Sequence, residues 1–357
     1  MDMIKPGSTI GILGGGQLGR MIALAAAPLG YKCHIYCPEA NSPAFQVADS
    51  YTVAAYEDEA ALEAFAKSVD VVTYEFENVP AKTAEVIGEH ALLRPGATAL
   101  ATAQDRLVEK TFLSDHGLAV APFKAFESLE ELELAVAEIG MPAVAKTRCF
   151  GYDGKGQAII RSQSDIEEAH AAMGGAPAIL EGFVPFNKEV SAIVARNPQG
   201  SVAAYPIAEN VHTNHILDVT TVPANIDGVI EDTARIMGAK LADALDYIGV
   251  ITVEMFIIED SGEVIVNEFA PRVHNSGHWS IEGARTSQFE QHVRAICGLP
   301  LGDPRNIGTV RMKNLLGEDI NDVEQYLKDP KAHYHHYGKS EPREGRKMGH
   351  VTWVDAE

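Results

Sequence analysis

Gly249-Val250-Ile251-Thr252-Val253-Glu254-Met255-Phe256-Ile257-Ile258-Glu259-Asp260-Ser261-Gly262-Glu263-Val264-Ile265-Val266-Asn267-Glu268-Phe269 is the stretch on which the fold turns. Two apolar runs, Gly249 to Ile258 and Val264 to Phe269, flank the polar segment Glu259 to Glu263, which is the pattern of a β-hairpin. Glu254 and Glu268 are equidistant from Ser261, so a symmetric hairpin with an odd-length loop opposes them directly and places both on one face. Two adjacent carboxylates resist double ionisation, and strands otherwise made of Val, Ile, Met and Phe offer them little solvation. A divalent cation removes both objections. Mg2+, which takes a few carboxylates together with phosphate oxygens and water, suits a nucleotide-bridging site. The residues alone also allow a plainer reading, in which Arg272 or a nearby Lys pairs with one acid while water solvates the other. An even-length loop would shift the register by one residue and send the acids to opposite faces.

Upstream, Ala143 to Lys146 reads as a strand that ends on a lysine and leads into Gly151-Tyr152-Asp153-Gly154-Lys155-Gly156-Gln157. A lysine is a compact charge for phosphate oxygens, and glycines let loop N–H groups approach them. The pattern is not GxxxxGK[ST], and Asp153-Gly154 by itself also fits an ordinary hairpin turn. Glu181-Gly182-Phe183-Val184 reads as a strand edge able to meet an adenine, with Glu189 placed to accept ribose hydroxyl hydrogen bonds; Glu181 equally fits a plain strand-end charge.

Near the start, Gly14-Gly15-Gly16-Gln17-Leu18-Gly19 satisfies GxGxxG between a strand and a helix, with Glu39 where a ribose-binding acid would stand. A nicotinamide dehydrogenase is therefore a rival, as is a purely structural turn. Strand runs Ile10 to Leu13, Cys33 to Tyr36 and Val69 to Tyr74 alternate with helical stretches Leu18 to Leu29 and Ala60 to Ser68, which predicts a parallel sheet covered on both faces. Arg94-Pro95-Gly96 marks a boundary before a helix-like stretch from Thr98 to His116. A helix from Val229 to Leu245 precedes the hairpin; Val310 to Leu316, a helix Asp322 to Leu327 and a basic tail follow it. At 357 residues the chain exceeds what one core supports.

The formal charge of −21 repels polyanions, so nucleic acid and anionic membranes are poor partners. No apolar run reaches the roughly 20 residues of a membrane span, and a cytoplasmic protein fits best. Cys33, Cys37, Cys149 and Cys297 form no CxxC pair and read as thiols, with little to support metal binding by Cys33, His34 and Cys37. Lys331 to His350 holds Lys331, Lys339, Arg343, Arg346 and Lys347 against Glu341 and Glu344, a local +3 that suits a small anion or else is a solvated tail.

Taken in order, these segments resemble the ATP-grasp ligases, and among them the N5-carboxyaminoimidazole ribonucleotide synthetase family. The likeness runs nearly end to end, through Gly11 to Met21, Gly151 to Gln157, Asn267 to His278, Tyr337-Gly338-Lys339 and Gly345 to His350. It implies a mixed α/β and α+β chain: a Rossmann-like domain over 1–100, an ATP-grasp domain over 101–295 with a lid at about 120–185, and a small C-terminal domain over 296–357. It implies ATP and Mg2+ as cofactors, and carboxylation of aminoimidazole ribonucleotide with bicarbonate through carboxyphosphate, by a homodimer. Arg106, Lys146 and the loop Gly151 to Gln157 would meet phosphates, Glu181, Gly182, Phe183 and Val184 the adenine, and Glu189 and His212 the ribose or phosphates. Asn267 and Glu268 would join the nucleotide site, with Glu254 and Glu268 on the metal. Arg272 would support carboxyphosphate, helped by Lys155, Asp153 and His274. Glu75, Tyr152, Asn275, Lys339 and Arg346 would hold the ribonucleotide, the last two its phosphate. No protein nucleophile is required, so Cys149 is expected to be dispensable. Another ATP-grasp carboxylate-amine ligase would keep Lys146, Glu254 and Glu268 and differ in the tail.

Overall fold

A computed structural model describes residues 3–151 and 156–356. The apolar runs near the start become a four-stranded parallel sheet in the order Ser50–Thr52, Lys32–Tyr36, Thr9–Leu13, Val71–Tyr74. Ile10, Ile12, Leu13, Ile35, Val71 and Val72 are wholly buried, as expected of strands covered on both faces. Helices Gln17–Ala26 and Glu59–Lys67 lie between successive strands and Ala81–His90 follows the last, and Asp58 caps the second by accepting from the Ala61 N–H at 3.0 Å.

The helical stretch expected from Thr98 to His116 is two helices, Ala97–Gln104 and Arg106–Asp115. Asp105 breaks it: its backbone is extended, and its carboxylate accepts from the Leu107 and Val108 N–H groups, an N-cap in the middle of a helix-like composition. The second helix thereby points Arg106, Glu109 and Lys110 at the hairpin, as described below.

A separate antiparallel sheet, Phe123–Phe126, Ala178–Gly182, Ala143–Thr147 and Gln157–Ile160 in that order, carries helices Leu129–Ile139 and Ile166–Ala172 on its own small core. The main sheet has nine strands, in the order Glu263–Ala270, Gly249–Ile258, Lys188–Arg196, Ala208–Thr213, Ile216–Val222, Gly308–Leu316, Lys347–Ala356, Ala332–His336, with Val202–Ala204 beside Lys188–Arg196. The segment after 296 thus extends the central sheet rather than forming a sheet of its own. Helix Gly228–Ala244 backs this sheet, close enough that a side chain at Gly238 would meet Val194. Among the described residues no helix is long and apolar enough to cross a membrane.

Candidate active site

Between the four-stranded antiparallel sheet and the main sheet lies a cleft of about 760 Å³. Its floor is the hairpin. Glu254 and Glu268 are direct cross-strand partners, as the symmetry of the sequence suggested, but the loop is not the odd-length turn expected. Ile258 pairs with Glu263, leaving a loop of four residues, 259–262, closed by the Gly262 N–H on the Ile258 carbonyl at 2.8 Å with Gly262 at φ 71°. An even loop alone would have opposed Asn267 to Glu254 and turned Glu268 into the core. A β-bulge restores the pairing: Met255 opposes Val266 and Glu254 opposes Glu268, so Asn267 is the extra residue. Val264, Val266 and Phe269 stay in the core, whereas Asn267 and Glu268 both line the cleft.

The plainer ion-pair reading is partly realised, though not through Arg272. Arg106 Nη1 donates to Glu268 Oε2 at 2.8 Å, and His274 Nε2 lies 2.9 Å from Glu254 Oε1. Burial works against a charge on Glu254, but His274 and then His212 hold its carboxyl well below the usual range. The site fits Mg2+: two opposed carboxyl groups stand beside Asn267 Oδ1, a buried oxygen without a hydrogen-bond partner, giving an all-oxygen donor set.

Arg106, Lys146, Gly151, Gln157, Glu181, Gly182, Phe183, Val184, Glu189, His212, Arg272, His274 and Asn275 line the same cleft. Lys146 and the deeply buried Lys110 share Glu181 Oε2, at 3.1 and 3.2 Å. Burial opposes the Glu181 charge, and these two lysines overcome it, so the carboxyl sits far below normal. The same burial lowers the Lys146 pKa. Glu181 is thus an internal counter-ion, while Phe183 and Val184 of that segment line the cleft. Phe186 and Phe256 stack at 4.4 Å on the apolar wall. Glu189 and His212 pair with each other at 2.7 Å. Gly156, at φ 69°, does not line the cleft but backs against Thr147, where a Cβ would meet Oγ1 at 2.6 Å. Tyr152, Asp153, Gly154 and Lys155 lie outside the described residues.

Arg272 is held in a fork by Glu77, Nη2 to Oε1 at 3.0 Å with a second short contact from Nε to Oε2. Glu77 also lines the cleft. Asn275 exchanges two amide hydrogen bonds with Asn314, at 2.9 and 2.7 Å. Glu75, Lys339 and Arg346 lie outside the cleft proper. Glu75 turns into the first glycine turn, accepting from the Gly19 N–H at 2.7 Å and from the Gly16 N–H, and a Cβ at Gly14 would meet it at 2.3 Å. The anion position of GxGxxG is therefore taken by the chain's own carboxylate, and Glu39 is engaged by the Cys37 thiol at 2.8 Å, which removes the basis of the dinucleotide reading. In the tail, Lys331 pairs with Asp355 and Arg343 with Glu341. Lys339 and Arg346 donate to the carbonyls of Lys347 and Glu341 and, among the described residues, make no ion pair. Glu282, His335 and His350 also gather ligand-type atoms within 4.8 Å. The two imidazoles, however, stack with centroids 4.3 Å apart and planes 9° apart, so their in-plane lone pairs cannot meet on one ion at roughly 2 Å.

Family models match the chain in three consecutive pieces: a ribonucleotide synthetase preATP-grasp domain over 7–104, an ATP-grasp domain over 111–289, and a phosphoribosylaminoimidazole carboxylase C-terminal domain over 311–357. The N5-carboxyaminoimidazole ribonucleotide synthase of Brucella melitensis is 50% identical over 98% of this chain and 97% of that protein. The chain belongs to the N5-carboxyaminoimidazole ribonucleotide synthase family. A solved N5-carboxyaminoimidazole ribonucleotide synthetase, in complex with ADP, is 46% identical and superposes with a TM-score of 0.96, covering 99% of this chain and 94% of that one. The Aspergillus clavatus enzyme, solved with ADP and 5-aminoimidazole ribonucleotide, is 32% identical with a TM-score of 0.92, covering 98% and 94%. The two parallel-sheet and ATP-grasp expectations thus hold as a family fold.

Sequence reasoning missed Glu77, Glu109 and Lys110, and it counted Lys347 only among the basic tail residues, whereas Lys347 lines the cleft. Glu77 had a readable signal: it lies three residues beyond Val71–Tyr74, at the carboxyl end of a parallel strand, where ligands of open α/β sheets gather. Glu109 and Lys110 had none, because a charged pair in an amphipathic helix reads as a solvated face.

Proposed function

We propose that this chain is an ATP-dependent carbon-nitrogen ligase that uses bicarbonate to carboxylate the amine of 5-aminoimidazole ribonucleotide, in purine biosynthesis, as a cytoplasmic homodimer. The observation that carries the reading is the opposed pair Glu254 and Glu268 on the floor of a cleft ringed by Arg106, Lys146 and Arg272. Three fixed cations facing two carboxylates suit a polyphosphate bridged to a divalent ion. Mg2+ held by Glu254, Glu268 and the Asn267 amide oxygen would neutralise charge on the β- and γ-phosphates.

The residues then divide the work. Phe183, Val184 and the Phe186–Phe256 wall take the adenine; Glu189, whose partner is His212, takes ribose hydroxyls; Arg106 and Lys146 fix the phosphates. A bicarbonate oxygen attacks the γ-phosphorus, the bond to ADP breaks, and carboxyphosphate forms. Arg272, kept planar and oriented by Glu77, stabilises that anion. The carbon-to-phosphate-oxygen bond breaks, either as the substrate amine attacks carboxyphosphate itself or to release carbon dioxide that the amine then attacks, and the departing phosphate takes the amine proton. No side chain forms a covalent bond. Cys149→Ser is accordingly expected to keep kcat within about twofold of native in a steady-state assay; loss of turnover with the fold intact would demand a covalent route.

Lys339 and Arg346 are assigned to the substrate's 5′-phosphate. Burial, and then the neighbouring Arg346, pull the Lys339 pKa down to about 8. Its charge is present below that pH and lost above it, so KM for the ribonucleotide should be flat below pH 7 and rise above pH 8 by up to about tenfold per pH unit. Lys339→Arg should flatten the rise; an unchanged profile would sever Lys339 from the phosphate.

The deciding experiment mixes protein, ATP, Mg2+ and 5-aminoimidazole ribonucleotide, with and without bicarbonate, and follows phosphate release. Dependence on both bicarbonate and acceptor is expected. Turnover indifferent to either would point to a different carboxylate-amine ligase.

A further inference from the structure

Strand Glu263–Ala270 is the outer strand of the nine-stranded sheet, so among the described residues one side of its backbone has no strand partner beyond a single parallel bridge between Val120 and Val266. On a regular strand, outward N–H groups recur every two residues. Here the Val266 N–H donates outward to the Ala119 carbonyl at 2.8 Å, and the next such donor is the Phe269 N–H, three residues on, because the bulge at Asn267 intervenes. Two adjacent residues of helix Arg106–Asp115 grip both flanks. Lys110 Nζ donates to the Val266 carbonyl at 3.4 Å, and Glu109 Oε1 accepts from the Phe269 N–H at 2.7 Å. These side chains are among the most deeply buried ionisable groups in the molecule, and neither lines the cleft. Burying both in this way is unfavourable unless each is well bonded.

We infer that Glu109 and Lys110 are positioning residues that clamp the Asn267 bulge and so keep both Asn267 and Glu268 facing the cleft; the inference rests on the magnesium site proposed above. The four-residue loop sets a register that, continued without the bulge, would put Phe269 in the cleft and Glu268 in the core. Glu109 meets the Phe269 N–H only in the bulged register. Lys110 adds a second tie, since the ammonium that holds Val266 also holds Glu181, the counter-ion of Lys146. The clamp therefore joins the metal-bearing strand to the lysine that faces the phosphates.

The test uses the full chain with ADP and Mn2+ as a probe that does not turn over, its affinity measured by titration calorimetry. Glu109→Ala should weaken Mn2+·ADP by about tenfold, the range typical of residues that orient metal ligands, whereas Glu109→Gln, which keeps an acceptor oxygen, should stay within about threefold. Hydrogen exchange at the Phe269 amide should quicken in Glu109→Ala and stay native-like in Glu109→Gln. Native affinity in Glu109→Ala, or equal loss in both variants, overturns the clamp. If Glu109→Ala does not fold, the Phe269 amide of Glu109→Gln decides, protection supporting the clamp and its loss refuting it. Glu268→Gln separates the two levels: should it leave Mn2+ affinity unchanged, the metal reading itself fails, and should it weaken affinity while Glu109→Ala does not, only the clamp does.

Discussion

Glu254→Gln and Glu268→Gln should each lower kcat by about a thousandfold. Charge stabilisation by a bound divalent ion is worth several kcal/mol at a phosphoryl centre, and each ~1.4 kcal/mol is tenfold in rate. Glutamine keeps the size of the side chain and one acceptor oxygen, so the loss reports charge. The variants should part company in stability. Glu268→Gln strips Arg106 of its 2.8 Å partner and leaves a largely buried guanidinium uncompensated, so its Tm falls. Glu254→Gln loses the His274 contact at 2.9 Å and the attraction of His212 and Lys347 that holds its carboxyl low, offset in part by relief of the repulsion between facing carboxylates, so its Tm falls less. In both, Mg2+·ADP should no longer raise Tm, where at ligand ~100-fold above Kd the native chain gains about 2.7 kcal/mol. Thermal scans with and without Mg2+·ADP, beside steady-state rates, check all three statements; native-like Mg2+ dependence in either variant would remove that residue from the metal site.

Arg272→Lys should cost about a hundredfold to a thousandfold in kcat while KM for ATP stays near native, the size of effect seen when one preorganised charge donor leaves a transition-state site. Lysine keeps the charge but cannot reproduce the two-point fork on Glu77, so its ammonium is neither planar nor fixed. Glu77 itself keeps a carboxyl lowered from its ordinary value, because Arg272 outweighs the burial that would raise it. The fork is thus charged on both sides across neutral pH. Comparing phosphate released with carboxylated product formed reads the effect directly: carboxyphosphate left without its cation escapes or decomposes, and the ratio rises above one. A variant with native coupling would move Arg272 out of the carboxyphosphate site.

The pairing of Glu254 with Glu268 was legible because cross-strand symmetry survives at the level of counting residues. The route to it was not. A four-residue loop plus one bulged residue keeps the same total as an odd loop, and what holds the bulge comes from Glu109 and Lys110, about 160 positions away. Elements set by local chemistry were also readable, such as the parallel strands around Ile10, Ile35 and Val71, each a short, mostly apolar run. Asp105 shows the limit of periodicity, since a cap inside a helical composition changes no pattern of apolar spacing. The glycine turn misled for a related reason. Its geometry announces an anion at a helix start, and nothing near Gly14 in the sequence says that the anion is Glu75, carried in on a neighbouring strand.

The placement of strand Lys347–Ala356 bears on how the molecule is made. It sits between Gly308–Leu316 and Ala332–His336, both of which leave the ribosome before it. Until it arrives, each of them presents an unpaired edge, and at roughly 5–20 residues per second that interval lasts on the order of a second or more. Nascent chains of this protein are therefore open to misassociation until 347–356 has emerged, and proteolytic trimming within 347–356 would reopen two edges at once.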